Sequence, residues 1–161
     1  MNPMVPRGNG IHSSFTVERL LPGTPAHAYR FWAEPELKRR WNACHPDWTV
    51  LDEAFDFRIG GHEHTRMRTD TGSVQAVDFH YLDLLPGERI VYAYAMRLDQ
   101  AAISASLVTI ELLPHAAGTR MLFTEHLAML DAGDTDLRRQ GTEQGFDRLA
   151  LEIEKALAPV H

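Results

Sequence analysis

Residues 135–157 read TDLRRQGTEQGFDRLALEIEKAL, a proline-free run with two unequal halves. In the second half Phe146, Leu149, Ala150, Ile153 and Leu157 recur at helical spacing and define one apolar face. Asp147, Arg148, Glu152, Glu154 and Lys155 fall on the opposite face, expected to meet water. Asp134 stands where a side chain can accept from the free N–H groups of the first turn. In the first half Gly141 and Gly145 lie one turn apart, with Gln144 beside them. Each glycine costs a helix roughly 1 kcal/mol relative to alanine, so two of them require a local reason. Either another backbone comes close or space is left for a guest. A helix that packs at one end and lacks side chains at the other can roof a pocket.

The rest of the chain must cover that helix. Ser14 to Leu21 alternates as a strand, and Pro22-Gly23 ends it. Thr24 and Pro25 open a helix carrying Ala28, Tyr29, Phe31 and Trp32, and Pro35 stops it. A short helix from Glu36 to Asn42 presents Leu37 and Trp41. Strands follow: Trp48 to Phe55, Gly61 to Thr69, Ser73 to Leu84, Arg89 to Leu98, Ala105 to Leu113 and Thr119 to Leu127. Gly60-Gly61, Asp70-Thr71-Gly72, Pro86-Gly87 and Pro114 to Gly118 punctuate them, and 99–103 is expected to be a loop. Short connections imply an antiparallel meander. Its apolar face needs a cover, and only the last helix is long enough. The expected fold is α+β: a curved antiparallel sheet of six to seven strands gripping a C-terminal helix. One domain is expected over 14–158, after a flexible arm over 1–13.

A chain of 161 residues with 44% hydrophobic residues suits one core. Its net charge of −6 argues against nucleic-acid or anionic-membrane binding, which needs a basic face. No run approaches the roughly 18 apolar residues of a membrane span, and the first residues lack a signal-peptide core. A single cysteine, Cys44, forbids an internal disulfide and fits a reducing compartment. The expectation is a soluble cytoplasmic protein of unspecified oligomeric state.

Five short motifs, in order, resemble one family. They are P-A-H-A-Y-R-F-W-A-E-P-E-L-K-R-R-W from Pro25 to Trp41, F-R-I-G-G from Phe57 to Gly61 with the turn at Asp70-Thr71-Gly72, and L-L-P-G-E-R-I from Leu84 to Ile90. G-T-R-M from Gly118 to Met121 and G-F-D-R-L from Gly145 to Leu149 complete the set. Together they resemble the SRPBCC superfamily of START-like helix-grip proteins, in the branch named after the activator of heat-shock protein 90 ATPase. In the last motif Phe146 stands where the family usually has Trp. The resemblance implies the helix-grip fold. It leaves activity open, because such folds host binders, chaperone partners and enzymes.

Strand alternation assigns the inner face. His62, His64, Arg66 and Arg68 are expected to face water, so Glu63, Thr65 and Met67 face the helix. Val77, Phe79 and Tyr81 follow, then Tyr92, Tyr94 and Met96, then Val108 and Ile110, then Met121, Phe123 and Glu125. Parity on 89–98 and 105–113 depends on bulges. The family usually has apolar residues at the positions of Glu63 and Thr65. The expected site is an apolar, aromatic pocket with two carboxylates, Glu63 and Glu125, whose ionisation burial disfavours unless they are paired. Trp41, Gly141, Gln144 and Gly145 complete the candidate ligand-contacting set.

Other constellations carry less. His62 and His64 form an H-x-H pair, and Asp78 or His80 could join them if the next strand pairs in register, but a solvated face is the expected reading. Glu125 and His126 point to opposite faces and cannot share a substrate. No nucleophile elbow, phosphate loop or dinucleotide fingerprint occurs, so neither catalytic residue nor cofactor nor metal is assigned. Cys44 beside His45 is expected to be an inert loop thiol, and Arg138-Arg139 to be solvated charge. The leading functional expectation is binding of a small hydrophobic or amphipathic molecule between sheet and helix, with Trp41 helping to close the entrance. A chaperone-binding module of the kind the family name suggests is the second reading, which adds a role in stress response. A cyclase or hydrolase acting on polyketide-like substrates, with Glu63 or Glu125 as acid/base, is the third.

Overall fold

The structure, a computed structural model, describes residues 10–42 and 47–158. Cys44, His45 and the first nine residues of the expected arm lie outside the described residues. The elements run β1 (Ile11–Leu21), α1 (Pro25–Ala33), α2 (Pro35–Trp41), β2 (Thr49–Phe55), β3 (His62–Arg68), β4 (Val74–Leu85), β5 (Arg89–Leu98), β6 (Ala101–His115), β7 (Gly118–Met129) and α3 (Thr135–Leu157). The seven strands form one antiparallel sheet in the order β1-β7-β6-β5-β4-β3-β2. This is the expected α+β helix-grip architecture.

The caps act as the sequence suggests. The Thr24 hydroxyl accepts from the His27 N–H at 3.2 Å with Pro25 in the first turn of α1. The Asp134 carboxylate accepts from the Asp136 N–H at 2.8 Å at the start of α3.

Two strands begin earlier than the turn signals suggest. β1 takes in Ile11 to Ser13, which pair with Met129 to Leu127, so the expected arm loses its last three residues to the sheet. β6 begins at Ala101, leaving Asp99 and Gln100 as the turn, both at positive φ. The alternation of β6 therefore runs back through Ser106 and Ser104, both buried. Bulges fall at the pairings Tyr81/Asp83 and Met96/Arg97. The first leaves Leu82 facing water while both Tyr81 and Leu84 belong to the core side. The inward parity expected for Tyr92, Val108, Ile110, Met121, Phe123 and Glu125 is the observed one.

One core joins Leu149 and Ile153 of α3 to Val17, Leu21, Phe31, Ile90 and Ile110, all essentially inaccessible. Each such side chain contributes about 1.5–3 kcal/mol of hydrophobic stabilisation. Phe146 packs edge-on against Phe123, with ring centroids 5.0 Å apart, and against Trp32 at 6.0 Å. The backbone neighbours of α3 are α2, β1 and α1 rather than the central strands. The first two turns of α3 therefore stand over the middle of the sheet with side chains, not backbone, spanning the gap.

Candidate functional site

That gap is a pocket of about 350 Å³. Gly141 and Gly145 lie on its helical side. A Cβ at Gly141 would meet nothing within 4 Å, and at Gly145 only an Arg148 guanidinium nitrogen at 3.7 Å. The glycines therefore do not serve close backbone contact; they border open space. Of the expected residues, Trp41, Phe79, Tyr92, Tyr94, Phe123 and Glu125 are in the wall. Trp32, Met96, Leu137, Thr142 and Phe146 join them.

Six expected contacts stand elsewhere. Met121 is fully buried in the core, and Thr65 and Met67 are half-buried further along β3, outside the wall. Gln144 is exposed on α3 and does not line the pocket. It is three residues from Gly141 but next to Gly145, and a helix turns about 100° per residue. Tyr81 is buried beneath the pocket and holds Glu63.

Glu63 itself is buried but not in the wall. The Lys38 ammonium intervenes: its Nζ donates to Glu63 Oε1 at 2.6 Å and to the Tyr81 hydroxyl oxygen at 3.2 Å, and it lines the pocket. Tyr81 donates to the same carboxylate oxygen at 2.6 Å. Aromatic rings surround the ammonium, with Phe55 and Phe79 centroids at 5.1 and 5.4 Å. Burial lowers the Lys38 pKa from its ordinary value, and the Glu63 charge opposes that shift. Burial, then Glu63, pushes the Tyr81 phenol well up.

Glu125 heads a second network. Its Oε2 accepts from the Tyr94 hydroxyl at 2.7 Å, the Ser106 hydroxyl at 2.8 Å and Arg138 Nη1 at 3.3 Å. Arg138 also donates to the Tyr94 hydroxyl at 3.0 Å and to Ser104 at 2.8 Å. Arg138 is thus not the solvated charge expected from its place near the helix start; its side chain is 14% exposed and it lines the pocket. Only Arg139 is exposed, paired with Glu143 at 3.1 Å. Arg148 is exposed, as expected of the wet face, and it also borders the pocket, donating from Nε to the Trp41 carbonyl at 3.1 Å. Two polar atoms of wall residues have no partner among the described residues, Trp32 Nε1 and Glu125 Oε1.

The outer face of the sheet holds His62, His64 and His80. His62 pairs across the ladder with His80, rings 4.1 Å apart, and His64 bonds Asp52 at 2.9 Å. Among the described residues no three His, Cys, Asp or Glu side chains come together as a metal site. A second hollow of about 310 Å³ lies by His12, Ala105 and His126, on exposed positions of β1, β6 and β7, away from both buried networks. No described helix is long and apolar enough to cross a membrane.

Comparison with known proteins follows the same outline. The pattern of the "Activator of Hsp90 ATPase homolog 1-like protein" family matches residues 22–157. The chain belongs to that family. A solved structure of an uncharacterized protein from Rhizobium leguminosarum is 42% identical, with a TM-score of 0.86, covering 91% of this chain and 97% of that one. A protein from Rhizobium loti is 36% identical, with a TM-score of 0.83 and coverage of 90% and 99%. An AHSA1-like protein from Aeromonas hydrophila, at 17% identity and a TM-score of 0.69 over 92% and 99% of the two chains, shares the fold. No curated protein matches the sequence.

Proposed function

We propose that this AHSA1-family protein binds a small hydrophobic or amphipathic molecule between the central strands and the Gly141/Gly145 half of α3. The observation that carries the reading is the space itself: about 350 Å³ bordered by two glycines whose missing side chains meet nothing. That size falls within the range of small-molecule sites, ~300–1,000 Å³, and the wall has the apolar majority such sites use. Trp41 would border the entrance.

A chaperone-binding role draws on the family name, but a module of that kind has no need of an open interior. An enzymatic role would need Glu63 or Glu125 to move protons, and one oxygen of each is already held by two or more buried donors. Native mass spectrometry against lipid-like and polyketide-like compounds tests the binder reading. It expects a saturable one-to-one adduct. Absence of any adduct, together with capture of a chaperone ATPase at one-to-one stoichiometry, would replace it with the second reading.

A further inference from the structure

We infer that the guest is a monoanion, an apolar molecule ending in a carboxylate, and that Arg148 receives its charge. The inference rests on the binder reading and narrows it. The argument is a balance of charges around the pocket. Three cations line it: Lys38, Arg138 and Arg148. Two carboxylates answer them. Glu63 lies 2.6 Å from Lys38 Nζ, and Glu125 lies 3.3 Å from Arg138 Nη1. Arg148 has no carboxylate partner among the described residues, where its one bond runs from Nε to the Trp41 carbonyl at 3.1 Å. The undescribed stretch that follows α2, Ala43 to Pro46, contains no acidic residue. The neighbouring acid, Asp147, faces Arg19 at 3.5 Å.

One positive charge is therefore left over at the pocket, in a protein whose net charge is −6. Arg148 is an exposed side chain at the edge of the pocket: its Nε donates to the last carbonyl of α2, and a guanidinium nitrogen lies 3.7 Å from where a Gly145 Cβ would be. The remaining N–H groups form the planar fork that matches a carboxylate with two parallel bonds. The Asn42 side chain lies in the same stretch of wall. Behind this mouth stand Trp32, Trp41, Phe123 and Phe146, an apolar body for the other end of the guest. A single leftover charge fits a monoanion better than a dianionic phosphate. The two buried cations compete less, because each already faces a buried carboxylate of the protein.

The test compares phenylbutyrate with phenylbutanol, which share a body and differ in the head, by calorimetry on wild type, Arg148→Gln and Arg148→Lys. A charge-assisted fork predicts that wild type prefers the acid by roughly tenfold or more. Arg148→Gln should lose that preference while binding the alcohol as before, and Arg148→Lys should keep part of it. Raising the salt should weaken the acid alone. Equal binding of acid and alcohol to wild type, or an unchanged preference in Arg148→Gln, overturns the proposal and leaves Arg148 as a helix cap with the binder reading intact. Binding of neither compound defeats the binder reading and the proposal together. Thermal melts of each variant separate loss of binding from loss of fold.

Discussion

Lys38 Nζ sits 2.6 Å from Glu63 Oε1, with both side chains at or below 10% exposure and Tyr81 bonded to the same oxygen. The pair joins α2 to β3 across the floor of the pocket. It converts a carboxylate that the chain pattern directs inward into part of a neutral network, so the pocket meets an ammonium rather than a naked anion.

Breaking this pair from one side should be costly. Lys38→Met leaves Glu63 buried without its cation, and such losses run to about 3–5 kcal/mol. Lys38→Met combined with Glu63→Leu removes both charges and should recover most of that loss. Chemical denaturation of the two variants checks the order. A single variant as stable as wild type would mean that the carboxylate finds water.

The glycines predict the opposite sign. A Cβ at Gly141 meets nothing, and at Gly145 only the edge of a mobile guanidinium. Neither glycine has a positive φ. Gly141→Ala should therefore stabilise α3 by about 0.5–1 kcal/mol, through helix propensity alone. Denaturation midpoints measure the gain. Destabilisation would show that the helix needs a glycine for a reason other than space.

Alkaline pH should reveal how the tyrosines are held. The sequence has four, and burial is the first cause of a raised pKa at Tyr29, Tyr81, Tyr92 and Tyr94 alike. A phenol raised in the folded state contributes stability that is complete below its unfolded value, about 10, and is lost as pH rises through the folded one. Lys38, lowered by burial, has the contrary slope just below its unfolded value, about 10.4, where its stability term still rises with pH. The protein should thus hold its stability toward pH 10 and lose it above. Phenolate absorbance should appear together with unfolding, in one cooperative step. Stepwise phenolate formation in a folded protein would contradict this.

Most of the fold was legible because its signals are periodic. The α3 bounds, the Thr24 and Asp134 caps and the inner parity of Phe79, Tyr92 and Phe123 all follow from spacing. The site was half legible. Strand alternation finds aromatic residues and Glu125, but not the cations that answer them. Lys38 shares a helix face with Trp41 three residues on, and Arg138 with Gly141 three residues on. That spacing was available, but charge by itself points to water, and only the partners show otherwise. Ser104 escaped notice because the strand was begun one turn signal too late, and Ser106, although inside the expected strand, because inward parity was followed back only to Val108. Gln144 and Met121 stand outside the pocket wall, because nearness in sequence, or an inward parity, does not separate pocket from core.

The central claim is that a guest enters the space beside Gly145. Fluorine NMR of protein labelled with fluorotryptophan tests it directly, because Trp32 and Trp41 line that space and Trp48 does not. Titration with phenylbutanol should move the Trp32 and Trp41 signals together and saturably, leave Trp48 in place, and lose this effect in Gly145→Leu, whose side chain occupies the void. Signals that stay fixed in wild type, or that shift equally in the filled variant, would contradict the account.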